Sequence, residues 1–350
     1  MNDKKYTLIP SGELTAFLDQ ALAGIAAEIE ELHPPKLAQV VLGGGYGRGE
    51  GGVLHTPQGD RLYNDLDIFV FSDGAARSER REIEKTIAEI SARWAEKLGV
   101  AVDFSPVKEL SSLRGVSSTL MFQELRRGWK PIWGGDGFEN HIPELDAAQL
   151  PVTEAVRLLL NRGMGLLLAG EALKDGGDGD FIVRNLNKSV LGGGDALLIA
   201  SGRYRWSGVD RVEEFRRYAA ENGMPPETAE YYAAAFRYKT EPHPHLPDDP
   251  WVEWRNCRRF FIGAARRVAG CADGAAPGEI EAGLHRIAQK ERSVKNLLRW
   301  LRRRGGYRPP CAIFDAPVVT VAGMLCRMLA ATEECPRCPE NIRRLWGYFN

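Results

Sequence analysis

Two stretches decide the fold: Gly43-Gly44-Gly45-Tyr46-Gly47-Arg48-Gly49-Glu50-Gly51-Gly52 and, shortly after, Asn64-Asp65-Leu66-Asp67-Ile68-Phe69-Val70-Phe71. The first is a glycine-dense loop whose backbone N–H groups, unobstructed by side chains, suit phosphate oxygens. The second is strand-like, and Asp65 and Asp67, two residues apart, point to one face of such a strand. Two carboxylates on one face repel each other, which a cation between them relieves. Outward from this pair the pattern is α/β. Residues 11–31 carry Leu14, Leu18, Leu22, Ile25 and Ile29 at helical spacing, stopped by Pro34 and Pro35. Residues 39–42 are a short buried strand feeding the loop, and residues 53–63, with Pro57 and Gly59, are a hairpin or loop. A second strand is expected over 66–71, an amphipathic helix over 78–98 and a third strand over 100–107. A helix near 120–127 and a strand at 130–133 close the unit.

The glycine loop satisfies two better-known templates only in part. Gly47-Arg48-Gly49-Glu50-Gly51-Gly52 fits the dinucleotide fingerprint, but that motif needs a helix directly after the glycines and an acid at the far end of the next strand. Here Pro57 and Gly59 follow, and the acids stand at the beginning of the strand. No Gly-Lys-Ser/Thr follows either, which removes the P-loop. Asp103 is the third notable carboxylate. It sits inside the apolar run Val100-Ala101-Val102-Asp103-Phe104, where a lone carboxylate is costly. The plainer reading makes Asp65 a turn cap and Asp103 an exposed strand end. The chemical reading sets all three around Mg²⁺, which takes one or two carboxylates together with substrate phosphate.

In these residues the chain resembles the DNA polymerase β-like nucleotidyltransferase superfamily. Gly44-Gly45-Tyr46-Gly47-Arg48-Gly49-Glu50 is similar to the Gly-Ser-x-Ala-Arg-Gly-Glu form of its small-molecule and protein-modifying branches. Asn64-Asp65-Leu66-Asp67-Ile68 is similar to that family's Ser-Asp-Ile-Asp-Leu, and Asp103 stands where a third Asp is required. The resemblance covers roughly residues 11–135. Two departures are an insertion within 50–63 and Gly45 in place of the commoner serine. Neither removes a carboxylate. The resemblance implies a magnesium-dependent transferase that binds a nucleoside triphosphate such as ATP. It would move a nucleoside monophosphate, AMP from ATP, onto a hydroxyl acceptor and release pyrophosphate. Asp65, Asp67 and Asp103 are the implied catalytic and metal residues for two Mg²⁺ ions. Gly44 and Gly45 are implied to cradle the triphosphate, with Arg48 either adding a phosphate contact or pairing with Glu50. Related enzymes add a helical domain that supplies a cation, for which Lys188 in Arg184-Asn185-Leu186-Asn187-Lys188 is the candidate. The acceptor is a small molecule, a protein side chain or, as the weaker fit, an RNA 3′ end. A nucleotide-binding sensor or interaction module without turnover is the alternative from another class.

From Pro151 onward the pattern is helical, with candidates over 152–169, 181–200, 209–222, 226–238, 250–268, 280–304 and 316–330. The expected organisation is a nucleotidyltransferase domain over 1–145, α/β in the α+β sense with a small mixed sheet, and an all-α domain over 146–350. The 350 residues suffice for two cores. No apolar run reaches the roughly 20 residues of a membrane span, no secretory signal is expected, and six cysteines at irregular spacing suit a reducing cytoplasm. The net charge of −1 hides an excess of basic residues over 251–310, which is either a solvated face or a surface for an anionic partner. Asn161 and Arg162 interrupt an apolar helix and either line a ligand cleft or bond between helices. Tyr204-Arg205-Trp206 either stacks on a base or packs in the core. Cys335-Pro336-Arg337-Cys338 lacks the further ligands that structural zinc needs.

Overall fold

Two strands within residues 37–72 form the centre of a small mixed sheet. Strand β1 (Leu37–Leu42) runs into one helical turn, α2 (Gly44–Gly47), and the chain then makes a two-stranded hairpin, β2 (Val53–Thr56) and β3 (Gly59–Leu62). Strand β4 (Leu66–Ser72) returns antiparallel to β1. The helix before the sheet, α1 (Gly12–Leu32), starts at Ser11, whose hydroxyl accepts from Leu14 N at 3.2 Å, and ends at His33 in the left-handed region ahead of the two prolines. After β4 the chain crosses through α3 (Arg77–Leu98), which Gly99 caps, to β5 (Val102–Phe104), parallel to β4. Of the strand expected over 100–107 only residues 102–104 are strand, and a separate piece lies just beyond it. β5 stops at Phe104, and β6 (Lys108–Glu109) resumes the pairing with β4 after Pro106, which has no N–H for the ladder. Helix α4 (Leu120–Arg127) and β7 (Lys130–Gly134), antiparallel to β1, complete the order β5-β4-β1-β7.

Side-chain alternation along β4 sorts this sheet into two cores. Leu66, Ile68 and Val70 go to one face with Val40, Leu42 and Val102, and pack there with Leu18, Ile25 and Ile29 of α1 and Ile83, Ile87 and Ile90 of α3. Phe69 and Phe71 go to the other face with Val41, and pack there with Phe122 and Leu125 of α4. Asp67 shares the parity of Phe69 and Phe71, so it lies on the α4 side of the sheet.

The remaining elements are helices α5 (Val152–Asp175), α6 (Gly179–Ala200), α7 (Gly208–Glu221), α8 (Pro226–Thr240), α9 (Pro250–Val268), α10 (Pro277–Gln289), α11 (Val294–Arg302), α12 (Pro317–Ala330) and α13 (Glu340–Phe349). This computed structural model describes residues 6–302 and 314–349. The fold is mixed α+β, with the small mixed sheet near the N-terminus and helices after it. Two departures concern helices. The single helix expected over 280–304 is split into α10 and α11 at residues 290–293, and α13 was not expected. The basic run Arg303-Arg304-Gly305-Gly306-Tyr307-Arg308 lies outside the described residues.

The chain divides into two compact units. The first comprises residues 1–146 together with 237–243, and the second holds 147–236 and 244–350. The first unit therefore includes a seven-residue segment, Arg237-Tyr238-Lys239-Thr240-Glu241-Pro242-His243, from far along the chain. In the second unit α5 and α6 are the central pair; α9 packs on both and α12 on α5, with Phe261 and Leu325 against Gly163 and Trp254 against Gly170. Among the described residues no helix is long and apolar enough to cross a membrane.

Candidate active site

The parallel register of β4 and β5 sets Asp67 directly beside Asp103, with Leu66 beside Val102 and Ile68 beside Phe104. Neighbouring strands lie about 4.8 Å apart, and registered partners share a face. The apolar partners point into the α1/α3 core, so the two carboxylates share the opposite face, where Asp67 is half-buried and Asp103 exposed. Asp65 precedes β4 by one residue and is also half-buried. Loss of hydration first, and the negative charge of Asp65 second, push the Asp103 carboxyl above the usual aspartate range. Asp103 is thus coupled to Asp65 through charge and to Asp67 through the strand register.

The glycine loop closes on this pair at Gly44. Its φ is +59°, and a Cβ there would sit 1.9 Å from Asp67 Oδ2 and 2.7 Å from Asp67 Cγ. Only glycine combines a left-handed backbone with that approach. Gly43 N donates to the Asp67 carbonyl at 2.8 Å, which carries the sheet pairing up to the loop. Gly45 has ordinary clearance, with its nearest neighbour 3.6 Å from a built Cβ.

Polar ties hold the rest of the loop. Tyr46, almost fully buried, donates its hydroxyl to Gly52 O at 2.8 Å and accepts from Tyr63 N at 3.0 Å. Gly52 N donates to Asn64 Oδ1 at 2.9 Å, one residue before Asp65. Arg48 is engaged by protein carboxylates, at 3.0 Å from Glu124 Oε2 and 3.7 Å from Glu50 Oε2, so the ion-pair reading of this side chain holds. Glu50 also accepts from Lys239 Nζ at 2.8 Å, and Tyr63 and Tyr238 join hydroxyl to hydroxyl. The sequence reading missed Lys239 and Tyr238. They follow Glu50 by almost two hundred residues, and no local pattern announces such a return.

Comparison with protein-family models, with curated proteins and with solved structures finds no match to this chain.

The other candidates lie in the second unit. Lys188 is half-buried in the middle of α6. Asn161 Oδ1 accepts from Trp346 Nε1 at 3.3 Å, the helix-to-helix bond that was the plainer expectation. Tyr204 is buried, accepts from Arg211 Nη1 at 2.9 Å and meets the half-buried Trp206 edge-on, so Tyr204 belongs to the core. Part of the basic charge over 251–310 is used locally. Arg258 donates to Leu329 O at 2.7 Å, Arg267 pairs with Asp273 at 3.1 Å and Arg292 with Asp315 at 3.3 Å.

Among the described residues no three His, Cys, Asp or Glu side chains are gathered closely enough to hold one metal ion. Asp67 and Asp103 by themselves match what Mg²⁺ takes from proteins, one or two carboxylates with the remaining positions left to water and phosphate oxygens. The two carboxylates side by side offer oxygen ligands suited to a hard cation, and the adjacent turn of backbone amides suits an anionic ligand bound beside it.

Proposed function

We propose that this protein is a magnesium-dependent nucleotidyltransferase. It would transfer a nucleoside monophosphate, AMP from ATP, to a hydroxyl acceptor with release of pyrophosphate. The observation that carries the reading is the register that sets Asp67 beside Asp103 while Gly44 packs against Asp67 Oδ2. On this reading residues 1–145 are the nucleotidyltransferase domain, to which the segment 237–243 is added, and the helices after it form a second domain.

The chain's own residues supply the following chemistry. The amides of Gly44 and Gly45 bind the triphosphate oxygens next to Asp67. Asp103, set beside Asp67 by the strand register, takes the proton of the acceptor hydroxyl. The hydroxyl oxygen then forms a bond to the α-phosphorus, the bond from that phosphorus to the bridging oxygen breaks, and pyrophosphate leaves with its electron pair. Asp65 and Asp67 would be the further groups holding Mg²⁺, which would supply charge neutralisation for such an in-line displacement. Arg48 acts through the loop, since Glu124 and Glu50 hold it.

One observation favours the alternative, a nucleotide-binding module without turnover: among the described residues the three carboxylates do not gather tightly enough for a single ion. The two readings separate on ATP labelled at the α- or the γ-phosphate. A transferase places the α-label on a hydroxyl compound or on protein, with Mg²⁺ present, and Asp103→Asn abolishes it. Binding of ATP with neither label transferred to any acceptor supports the module instead.

A further inference from the structure

Apart from Tyr46 the glycine loop has no apolar side chain to anchor it in a core, and glycines give it the largest backbone freedom a chain can have. Its conformation therefore rests on polar ties. The most distant of these in sequence comes from Lys239, 189 residues beyond Glu50. Lys239 Nζ, Glu50, Arg48 and Glu124 form an alternating series of charges. Glu50 Oε2 takes Lys239 at 2.8 Å and Arg48 Nε at 3.7 Å, and Arg48 continues to Glu124 at 3.0 Å. Glu50 is 7% exposed, so its charge depends on these partners rather than on water. Its backbone N–H donates to Gly45 O at 2.9 Å, which ties the anchored residue to the turn against Asp67. The backbone of the segment 237–243 also packs on the loop's end, with Lys239 O 2.9 Å from a Cβ built on Gly52.

We propose that Lys239 is a positioning residue for the triphosphate site: through Glu50 it fixes the loop, and with it the amides of Gly44 and Gly45, in the arrangement that receives the phosphates. This rests on the transferase reading for the ligand and on the geometry alone for the loop. Lys239 touches Glu50, so it acts through the loop and not on the reacting atoms. A positioned donor set loses much of its value when it shifts by a fraction of an ångström to an ångström.

The test uses the full chain with Lys239→Met, Lys239→Arg and Glu50→Gln. Hydrogen exchange is followed on peptides covering 43–52 and on the α1 and α3 peptides as a folding control, and MgATP binding is measured by calorimetry. Lys239→Met is expected to speed exchange over 43–52 while α1 and α3 keep their protection, and to weaken MgATP binding by about tenfold or more. Lys239→Arg restores both, and Glu50→Gln behaves like Lys239→Met. Unchanged exchange over 43–52 in Lys239→Met overturns the proposal. So does faster exchange there with unchanged MgATP affinity. Should Lys239→Met unfold, α1 and α3 lose protection as well, and Glu50→Gln with Lys239→Arg then decide by the same two readouts. Wild type that binds no MgATP refutes the transferase reading and the ligand half of this proposal, while the exchange data still decide whether Lys239 holds the loop.

Discussion

Replacing Gly44 by alanine tests the closest contact in the site. The residue has φ +59°, and the added Cβ would stand 1.9 Å from Asp67 Oδ2, 2.7 Å from its Cγ and 2.9 Å from its Cβ. Turning the Asp67 carboxylate relieves the first distance and part of the second, but not the third, so the loop must move away from β4. An alanine held in the left-handed region costs about 1–2 kcal/mol, and forcing atoms into a packed site adds about 1–3 kcal/mol. The expected total is about 2–5 kcal/mol, a large part of the roughly 5–15 kcal/mol that holds a typical domain. Two other glycines separate the contributions. Gly74 has φ +66° with nothing within 4 Å of a built Cβ, so Gly74→Ala carries the backbone cost alone. Gly45 has its nearest neighbour at 3.6 Å without a positive φ, so Gly45→Ala is nearly neutral. The assay is urea unfolding by far-ultraviolet circular dichroism, with wild type and the three variants side by side. The expected order of destabilisation is Gly44→Ala, then Gly74→Ala, then Gly45→Ala. A Gly44→Ala protein no less stable than Gly74→Ala would refute the contact between the glycine turn and Asp67.

Other expectations concern titration, the loop ties and the cysteines. Because the Asp103 carboxyl is raised in the folded state, its ionisation opposes folding. The penalty is absent below the unfolded aspartate pKa of about 3.9 and complete above the folded value. Asp103→Asn should therefore stabilise the protein at pH 7, and the gain should vanish as the pH falls below about 3.9. In Asp65→Asn the Asp103 titration, followed by carboxyl NMR, should move down; no movement would separate Asp65 from the pair. Tyr46→Phe leaves Gly52 O and Tyr63 N without their partner, so a loss of about 2 kcal/mol is expected in urea unfolding. A loss below about 0.5 kcal/mol would mean that these groups find other partners. Burial pushes the thiol of Cys326 up to about 12 and that of Cys335 up to about 11. Iodoacetamide at pH 8 should accordingly label the partly exposed Cys271 well before either, as read by peptide mass spectrometry.

How much of this was legible in the sequence depended on whether the cause was local. The spacing of Asp65 and Asp67, and the apolar neighbours of Asp103, were enough to expect carboxylates on one sheet face, because strand parity is a two-residue property. Helix α9 has the bounds expected for it, since Asp249, whose carboxylate accepts from Trp251 N and Val252 N, and Pro250 start it by local chemistry. The break between α10 and α11 had no such signal. Lys290, Glu291 and Arg292 all tolerate a helix, and the turn is held instead by Ser293 N donating to Phe314 O at 3.1 Å and by Asn296 Nδ2 bonding the Glu291 and Phe314 carbonyls. Helix α13 is short, and its anchors, Ile342 and Leu345, gain their meaning from burial against other helices. Lys239 is the largest omission in the candidate site. A lysine at a helix end reads as a solvated cap, and only the fold reveals that it returns to Glu50.

The carboxylates at the start of β4 and on β5 are proposed to bind a nucleotide through a metal. Calorimetry of ATP, with and without Mg²⁺, on wild type and on Asp65→Ala/Asp67→Ala tests it most directly. Binding that requires Mg²⁺ and disappears in the double variant is the predicted result. Binding that ignores Mg²⁺ and survives both substitutions would contradict the account.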